Sequence, residues 1–263
     1  MARTLIRNAV VVTMDPALGC IDRGDILIDG EKIAAVAPDI GAPDAQVVDG
    51  RDHVVFPGLV NAHIHTWEFP LRGIGANWVS KRDYHANMHQ NLATRYTAAD
   101  VRSANLLGAL NQLNHGTTTI MDWCHIVRDP EMADAAIDGL EEGGVRAVFA
   151  HGTVKPPIRE GVTPFYRIPF PRDEIRRLRT GRLASDDRLV TLAMAILGPD
   201  WANTTSRFTT FALRANTGSF IPRTRTDAKA SATWKTACRG LRKRACSVPI
   251  TISRMATAST RTS

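Results

Sequence analysis

The sequence predicts an α/β protein that begins with a small β-sheet region and continues as parallel strands joined by helices. The first fifty or so residues are rich in Val and Ile and contain hairpin signals. From Leu59 to Leu197, short apolar runs alternate with single helical segments. This alternation is typical of parallel strands with crossover helices, and it favours an α/β barrel or a doubly wound sheet. After Ala202 the alternation stops, which predicts an irregular tail.

The N-terminal region contains four predicted strands around one tight turn. Leu5–Thr13 is rich in Val and forms the first strand, whereas Asp25–Asp29 and Lys32–Val36 flank the pair Asp29-Gly30. An Asp-Gly pair between two apolar runs favours a two-residue hairpin turn. Ala45–Val48 continues the same pattern. A small sheet domain follows from this arrangement.

The first predicted crossover runs from the strand Leu59–His65 to the strand Thr117–Met121. Thr97 with Asp100 has the spacing of a capping box, so a helix should begin there, and Gly116 is placed to end it. The apolar face of this helix is predicted to consist of Val101, Leu106, Leu107, Leu110 and Leu113.

The second and third crossovers are shorter in sequence. Met132, Ala135, Ala136, Ile137 and Leu140 share one helical face, and Gly143-Gly144 should end that helix before the apolar run Val145–Ala150. Asp173–Leu178 is the third predicted helix. It precedes the apolar run Leu189–Leu197, which Gly198-Pro199 closes.

Composition excludes several classes of protein. The chain has 263 residues and 44% hydrophobic content, with neither a secretory signal nor a run of about eighteen apolar residues, so we expect a cytoplasmic protein with no membrane partner. Its four cysteines show no C-x-x-C pairing, which argues against a disulfide framework or a zinc ribbon. The net charge of +7 belongs to the tail, because residues 203–263 carry +11 and the first 202 residues carry −4.

The stretch FPGLVNAHIHT places two histidines at the end of a predicted strand. Because side chains alternate along a strand, His63 and His65 should point to the same side, where two imidazoles could bind zinc or iron. An H-x-H pair at random is more often a surface accident, and the residues alone leave the two interpretations evenly balanced.

Other polar residues follow the later strands of the predicted sheet, where active sites of parallel barrels lie. Asp122 and His125 are either a wall of the site or caps of the next helix, and His151 is either a substrate contact or a hydrogen-bonded histidine at the rim. Trp67 could stack on a heterocyclic ligand, although packing is the more frequent role of Trp. We take His85 and His89, in connecting or helical segments, as structural or solvated.

Several motifs together resemble a known family. They are T-M-D-P, G-D-I-L-I-D-G-E-K-I-A-A-V, P-G-L-V-N-A-H-I-H-T, L-R-G, H-G-T-T-T-I-M-D and L-G-P, spread from Met1 to about Trp201. This part of the chain resembles the N-terminal portion of the amidohydrolase superfamily, in the branch of cytosine-deaminase-like, adenosylhomocysteine-deaminase-like and triazine-hydrolase-like proteins. The resemblance favours His63 and His65 as metal ligands.

The resemblance implies a fold, a cofactor and a reaction. The fold would be a small β-sandwich (residues 1–55) beside the first half of a (β/α)8 TIM-type barrel (residues 56–202). One divalent metal, zinc or iron, would activate a water that attacks a small heterocyclic substrate and hydrolyses a non-peptide carbon–nitrogen bond, with deamination as the expected outcome. Relatives complete such a site with histidines from the fifth and sixth strands and an aspartate from the eighth.

The tail, residues 203–263, departs from the family pattern. It contains no histidine and only one carboxylate, Asp227, so it offers no counterpart to the missing ligands. We weigh two accounts: a basic appendage in which Leu241–Arg244 and Trp234 bind nucleic acid, and a reading frame that slipped near Ala202. The abrupt change favours the second, so we expect a truncated, inactive hydrolase, with a non-catalytic nucleic-acid-binding protein as the alternative. The natural substrate, the leaving group, the choice of metal and homo-oligomerisation stay open.

Overall fold

A computed structural model of the chain describes residues 3–197. The predictions for Gly198-Pro199 and for the tail at residues 203–263 lie outside the described residues. Within that part of the chain, no helix is long and apolar enough to cross a membrane.

The first sheet is formed by the N-terminal region and has five strands. They are β1 (Arg3–Val12), β2 (Cys20–Asp29), β3 (Lys32–Ala37), β4 (Gln46–Asp49) and β5 (Val54–Val55). The order is β3-β2-β1-β4, with β5 also paired to β1. The antiparallel β2 and β3 meet at Asp29 and Lys32, with Gly30 at a left-handed φ of 58°, which confirms the predicted hairpin.

The second sheet has four parallel strands in sequence order. They are β6 (Leu59–Ile64), β7 (Thr117–Val127), β8 (Arg146–Thr153) and β9 (Val190–Met194). The predicted α/β class with a parallel sheet is therefore confirmed. Closure into a barrel, and a sandwich built on the first sheet, remain predictions. Because all four strands run the same way, their carboxyl ends share one edge of the sheet.

The described residues contain the helices α1 (Lys81–Tyr84), α2 (Ala98–Asn114), α3 (Pro130–Gly143) and α4 (Arg172–Thr180). The sequence predicted α2, α3 and α4, whereas α1 has no counterpart among the predictions. Single helical turns also occur at Thr66–Leu71, His85–His89, Leu92–Thr94 and Phe165–Arg167.

Hydrogen bonds at the helix ends explain where α2 and α3 begin and end. Thr97 and Asp100 form a reciprocal capping box at the start of α2. The side chain of Asp129 accepts from the Met132 N–H at the start of α3, and Gly144, at a φ of 74°, ends that helix.

The main hydrophobic core lies between the parallel sheet and its helices. Ile120 of β7, Phe149 of β8 and Leu192 of β9 belong to the same buried cluster as Ile137 of α3 and Ile175 of α4. Trp123, Ala150, Ala193 and Ala195 form a separate, smaller cluster. Ile120 and Phe149 are an odd number of residues from Trp123 and Ala150, so the two clusters lie on opposite faces of the sheet.

The predicted apolar face of α2 is partly wrong. Leu107 and Leu110 are 48% and 50% exposed. The residues that α2 buries are Val101, Ala104, Asn105, Gly108 and Ala109. The reason is the close approach of α3: a Cβ at Gly139 would clash with the carbonyl oxygen of Arg102. Small side chains therefore occupy the contact, and the larger leucines point away from it.

This contact predicts an unusual effect of Gly139→Ala. Alanine favours a helix over glycine by about 1 kcal/mol, yet the added methyl meets backbone that cannot move freely. We expect the free energy of unfolding to fall by roughly 1–3 kcal/mol, measured by urea denaturation. Gly41→Ala is the control, because a Cβ there meets no atom within 4 Å. A Gly139→Ala protein as stable as the parent would contradict the packing.

Candidate active site

Polar side chains from several segments gather where the parallel strands end. His63 and His65 come from the end of β6, His125 from β7, and Lys155 follows β8. Glu68 lies on the turn Thr66–Leu71, and Tyr84, His85 and His89 come from α1 and the turn after it. Polar groups at this edge of a parallel sheet are characteristic of an active site.

The two histidines of the H-x-H pair face the same side, as predicted. Their ring centroids are 4.8 Å apart, and the His63 ring lies 5.6 Å from that of Trp123. The pairing of β6 with β7 is irregular between Asn61 and Ile64. The alternation of side chains nevertheless holds across Ile64, which packs against the main core.

His65 is held in the tautomer that a metal ligand needs. Its Nδ1 lies 2.8 Å from the carbonyl oxygen of Trp123. Because a carbonyl can only accept, Nδ1 carries the proton and Nε2 keeps its lone pair. Burial lowers the pKa of His65 to about 4, so the ring is neutral at pH 7. A neutral imidazole with a fixed Nδ1–H is the usual metal-binding form.

Asp122 anchors the backbone beside His65 and does not face the polar side chains that gather at the strand ends. Its Oδ1 accepts from the Thr66 N–H at 3.0 Å, and its Oδ2 accepts from Asn105 Nδ2 at 3.3 Å. The Thr66 hydroxyl donates to Asn105 Oδ1 at 2.9 Å. Asp122, Thr66 and Asn105 are fully buried, and burial raises the pKa of Asp122 to about 6. We call these three residues the Asp122 network.

Trp67 is fully buried in the main core and supports His125 from there. The indole Nε1–H donates to His125 Nδ1 at 3.2 Å. Since Nδ1 accepts, a neutral His125 carries its proton on Nε2. The opposite tautomers of His65 and His125 bring one acceptor and one donor into the same cluster. Their rings are stacked, with centroids 4.1 Å apart.

His151 lies on the other face of the sheet. It is two residues from Phe149, which belongs to the main core, and its ring centroid is 5.8 Å from that of Phe170. The side chain is buried, and neither ring nitrogen has a hydrogen-bond partner within residues 3–197. Burial lowers its pKa to about 4. The structure does not bring His151 together with His63 and His65.

Glu68 and Lys155 are charged groups that the sequence interpretation missed. Glu68 Oε1 accepts from the Tyr84 hydroxyl at 2.5 Å, and burial raises the pKa of Glu68 to about 7. Burial lowers the pKa of Lys155 to about 8, although the nearby Glu68 opposes this shift. The possible ligand atoms of His65, Glu68 and His125 all lie within 4.8 Å of one another. Glu68 follows His65 by three residues on a helical turn, a spacing that could have identified it.

His89, which we predicted to be structural or solvated, instead lies buried beside His125. Its side chain is only 5% exposed, and its ring centroid is 4.4 Å from that of His125. The His85 ring follows at 5.4 Å. The two residues are four apart in sequence and therefore share one side of a helical turn, a spacing that we did not use. The segment after α1 thus forms part of the site wall.

Comparison with proteins of known sequence gives partial matches. No family model matches the chain. A 5'-deoxyadenosine deaminase from Methanosarcina mazei is 32% identical over 160 residues, which are 59% of this chain and 34% of the relative. A 5-methylthioadenosine/S-adenosylhomocysteine deaminase from Pyrococcus furiosus is 32% identical over 157 residues, 59% of this chain and 35% of the relative. The chain thus spans about a third of the length of these curated relatives.

Solved structures share the fold at lower identity. An atrazine chlorohydrolase from Arthrobacter aurescens TC1, complexed with zinc, matches with a TM-score of 0.69 and 22% identity over 91% of this chain and 58% of its own. A guanine deaminase from C. acetobutylicum with bound guanine gives a TM-score of 0.66 and 12% identity. The match covers 83% of this chain and 52% of the guanine deaminase. The resemblance to the amidohydrolase superfamily is confirmed, for part of each relative's length.

The Asp122 network predicts a large effect of Asn105→Ala. The change removes hydrogen bonds from Asp122 and Thr66 and leaves their polar atoms buried, which we expect to lower the free energy of unfolding by roughly 2–4 kcal/mol. Urea denaturation measures the effect. Ser103→Ala, at an exposed position of α2, should change it by less than about 0.5 kcal/mol. Equal effects of the two substitutions would show that the network is not stabilising.

Burial of His151 predicts a pH effect that His151→Leu removes. The pKa is about 4 in the folded chain and 6.5 in the reference state, so the unfolded chain binds the proton first and stability falls as pH drops from 6.5 to 4. At pH 4.5 the burial of His151 should lower the free energy of unfolding, relative to pH 7, by on the order of 2–3 kcal/mol. Denaturation at pH 7 and 4.5 should show a smaller loss for His151→Leu, whereas His115→Leu, at an exposed histidine, should behave like the parent. An unchanged loss in His151→Leu would refute the assignment.

Proposed function

We propose that this chain carries the metal-binding and substrate-binding wall of a hydrolase that cleaves non-peptide carbon–nitrogen bonds, most simply by deaminating a small heterocycle. The observation that carries the proposal is the neutral His65, whose Nε2 lone pair is fixed beside His63 at the carboxyl ends of parallel strands. Deaminases among the relatives and a zinc complex among the structural neighbours support the same reaction class and cofactor.

His63 and His65 would hold one divalent metal. The donor set fits zinc, which favours neutral imidazole nitrogens, and iron accepts the same donors. A bound zinc ion would lower the pKa of a water molecule toward neutrality. The Trp123 carbonyl keeps His65 in its tautomer, and the Asp122 network holds the backbone that follows it. We therefore assign Asp122 to positioning; Trp67 supports His125, and His151 has no assigned contact with substrate.

Lys155 would attract electron-rich atoms of the substrate. The residue is partly buried at the end of β8, and its charge lowers the pKa of His65, His85, His89 and His125. It makes no ion pair within 4 Å with any described side chain. With a pKa of about 8 the amine is mostly charged at pH 7. Ring nitrogens or a carbonyl oxygen of a heterocycle are suitable partners for such a cation.

The test is zinc-dependent ammonia release by the purified chain. A panel of 5'-deoxyadenosine, 5-methylthioadenosine, guanine, cytosine and an aminotriazine covers the ring types. We expect release close to background, because the resemblance implies further ligands outside the described residues, and we expect any release to require zinc. We also expect His65→Ala to abolish this zinc dependence and to bind zinc at least tenfold more weakly, as follows from losing a metal ligand. His115→Ala, an exposed histidine at the other end of β7, should have no effect.

Two outcomes would count against the proposal. If ammonia release is the same with and without zinc, or the same in His65→Ala as in the parent, the activity does not come from this site. If no compound is hydrolysed, calorimetric titration of the zinc-loaded chain with the same panel decides whether the site binds heterocycles. Absence of both hydrolysis and binding would contradict the proposed function.

A further inference from the structure

Two hydrogen-bond donors of the site have no acceptor within residues 3–197. One is the Nε2–H of His125, because the hydrogen bond from Trp67 to Nδ1 leaves the proton of this ring on Nε2. The other is the amine of Lys155, which has no ion-pair partner within 4 Å in the described part of the chain. Donors without a protein acceptor at the carboxyl ends of parallel strands are typical of groups that hydrogen-bond a ligand.

We propose that His125 Nε2–H and the Lys155 amine together bind a ring carbonyl of the substrate, so that the site selects oxo-heterocycles over heterocycles that carry amino groups alone. The inference rests on the proposed function, in which a heterocycle binds at this edge of the sheet. It deepens that function by naming the substrate class and by adding His125 and Trp67 to the residues that determine specificity.

The stacking of His65 and His125 keeps the His125 N–H available. The two ring centroids are 4.1 Å apart, and the ring planes are inclined by 30°. An imidazole N–H lies in the plane of its ring, and so does the lone pair of the other nitrogen. Two stacked rings therefore cannot hydrogen-bond to each other through these atoms. His125 presents a donor beside His65 that His65 does not satisfy.

No carboxyl group of the described residues satisfies His125 Nε2–H either. Glu68 is the one carboxylate with a ligand atom within 4.8 Å of those of His65 and His125, but its Oε1 accepts from the Tyr84 hydroxyl and it makes no hydrogen bond to His125. Within residues 3–197, the imidazole nitrogens that are both sealed and unpartnered belong to His89 and His151. His125 Nε2 therefore keeps contact with accessible space, where a ligand can reach it.

Electrostatic effects place the Lys155 amine near the same point. Lys155 is the charged residue with the largest influence on the pKa of His125, and it acts on His65 and His89 as well. Because Coulomb energies fall with distance, the amine lies close to these rings. Two donors then face one space. A carbonyl oxygen has two lone pairs and can accept from both, whereas a ring nitrogen has one lone pair and an exocyclic amino group donates.

Trp67 determines which nitrogen of His125 carries the proton. Its indole Nε1–H donates to Nδ1 at 3.2 Å, and its side chain is fully buried in the main core. The Tyr96 hydroxyl donates to the Trp67 carbonyl at 3.1 Å and holds the backbone there. Without the indole N–H, the proton of His125 can move to Nδ1, and Nε2 then becomes an acceptor that repels a carbonyl oxygen. Trp67 is therefore a positioning residue, and His125 is the group that touches the ligand.

The test measures binding to the metal-free chain of 263 residues. The probes are isocytosine, which has a 2-amino group and a ring carbonyl, and 2-aminopyrimidine, which lacks the carbonyl. Calorimetric titration should show that the parent prefers isocytosine by at least about tenfold. Lys155→Met and His125→Phe should each reduce this preference by about fivefold, through weaker binding of isocytosine. Phe keeps a planar ring that can stack on His65.

The matched controls are Lys81→Met and His115→Phe. Both residues are exposed, and neither belongs to the site. The preference for isocytosine should stay within about twofold of the parent in these variants, as expected for surface substitutions. Circular dichroism of every variant shows whether it is folded.

The tautomer of His125 provides a second readout that does not depend on binding. In nitrogen-15 NMR of the histidine-labelled chain, the signals that are lost in His125→Phe belong to His125. We expect the parent to carry the proton on Nε2, and we expect Trp67→Phe to show a mixture of both tautomers together with a reduced preference for isocytosine. If Trp67 had a structural role alone, the substitution would leave the tautomer unchanged.

Several outcomes would overturn the inference. They are equal binding of the two pyrimidines by the parent, a full preference for isocytosine in both Lys155→Met and His125→Phe, and a parent His125 that is protonated on Nδ1. If neither pyrimidine binds to the metal-free chain, the inference is overturned as well. The proposed function is decided separately, by zinc-dependent ammonia release and by titration of the zinc-loaded chain.

Discussion

The site depends on the buried network in which Asp122 and Asn105 hold Thr66. Thr66 follows His65 directly, so the hydrogen bond from its backbone N–H to Asp122 fixes the point at which β6 becomes the turn carrying Trp67 and Glu68. Asn105 ties the same point to α2 and to the Ala136 carbonyl of α3. A strand, a neighbouring strand and two helices thus meet at one residue. The orientation of the site residues follows from this junction, because every member of the network is fully buried and hydrogen-bonded.

Burial sets the protonation of the site as much as hydrogen bonding does. It lowers the pKa of His65 and raises that of Glu68, and these shifts favour neutral side chains in the absence of a counter-ion. Lys155, whose pKa is itself lowered by burial, adds a positive charge near these histidines and so also favours their neutral form. A cluster of neutral imidazoles and a carboxyl group that ionises near pH 7 is suited to a divalent cation, which binds the neutral and anionic forms of these groups.

Much of the fold could be predicted because local signals and long-range packing agree. The hairpin at Asp29-Gly30, the capping box at Thr97 and the glycine stop after α3 all appear where the sequence places them. The buried face of α2 could not be predicted. Leucines on a helix favour burial by area, but the contact with α3 is decided by backbone approach at Gly139, which no local pattern reveals.

The orientation of site residues could be predicted where it depends only on the two-residue period of a strand. His63 and His65 share a side because they lie two positions apart along the strand, and this holds in the structure. No sequence pattern indicates which face of the sheet Asp122 and His151 occupy, and in the structure both point toward the helices. The contributions of Glu68, His89 and Lys155 depend on where non-adjacent segments meet, although the spacing of Glu68 from His65 was an available signal.

If His65 Nε2 is a metal ligand, a crystal structure of the zinc-soaked chain, with data collected at the zinc absorption edge, will show it. We expect an anomalous peak about 2.0–2.1 Å from His65 Nε2, with Nδ1 still hydrogen-bonded to the Trp123 carbonyl. A peak bonded to His65 Nδ1, or zinc bound only at histidines elsewhere in the chain, would contradict it.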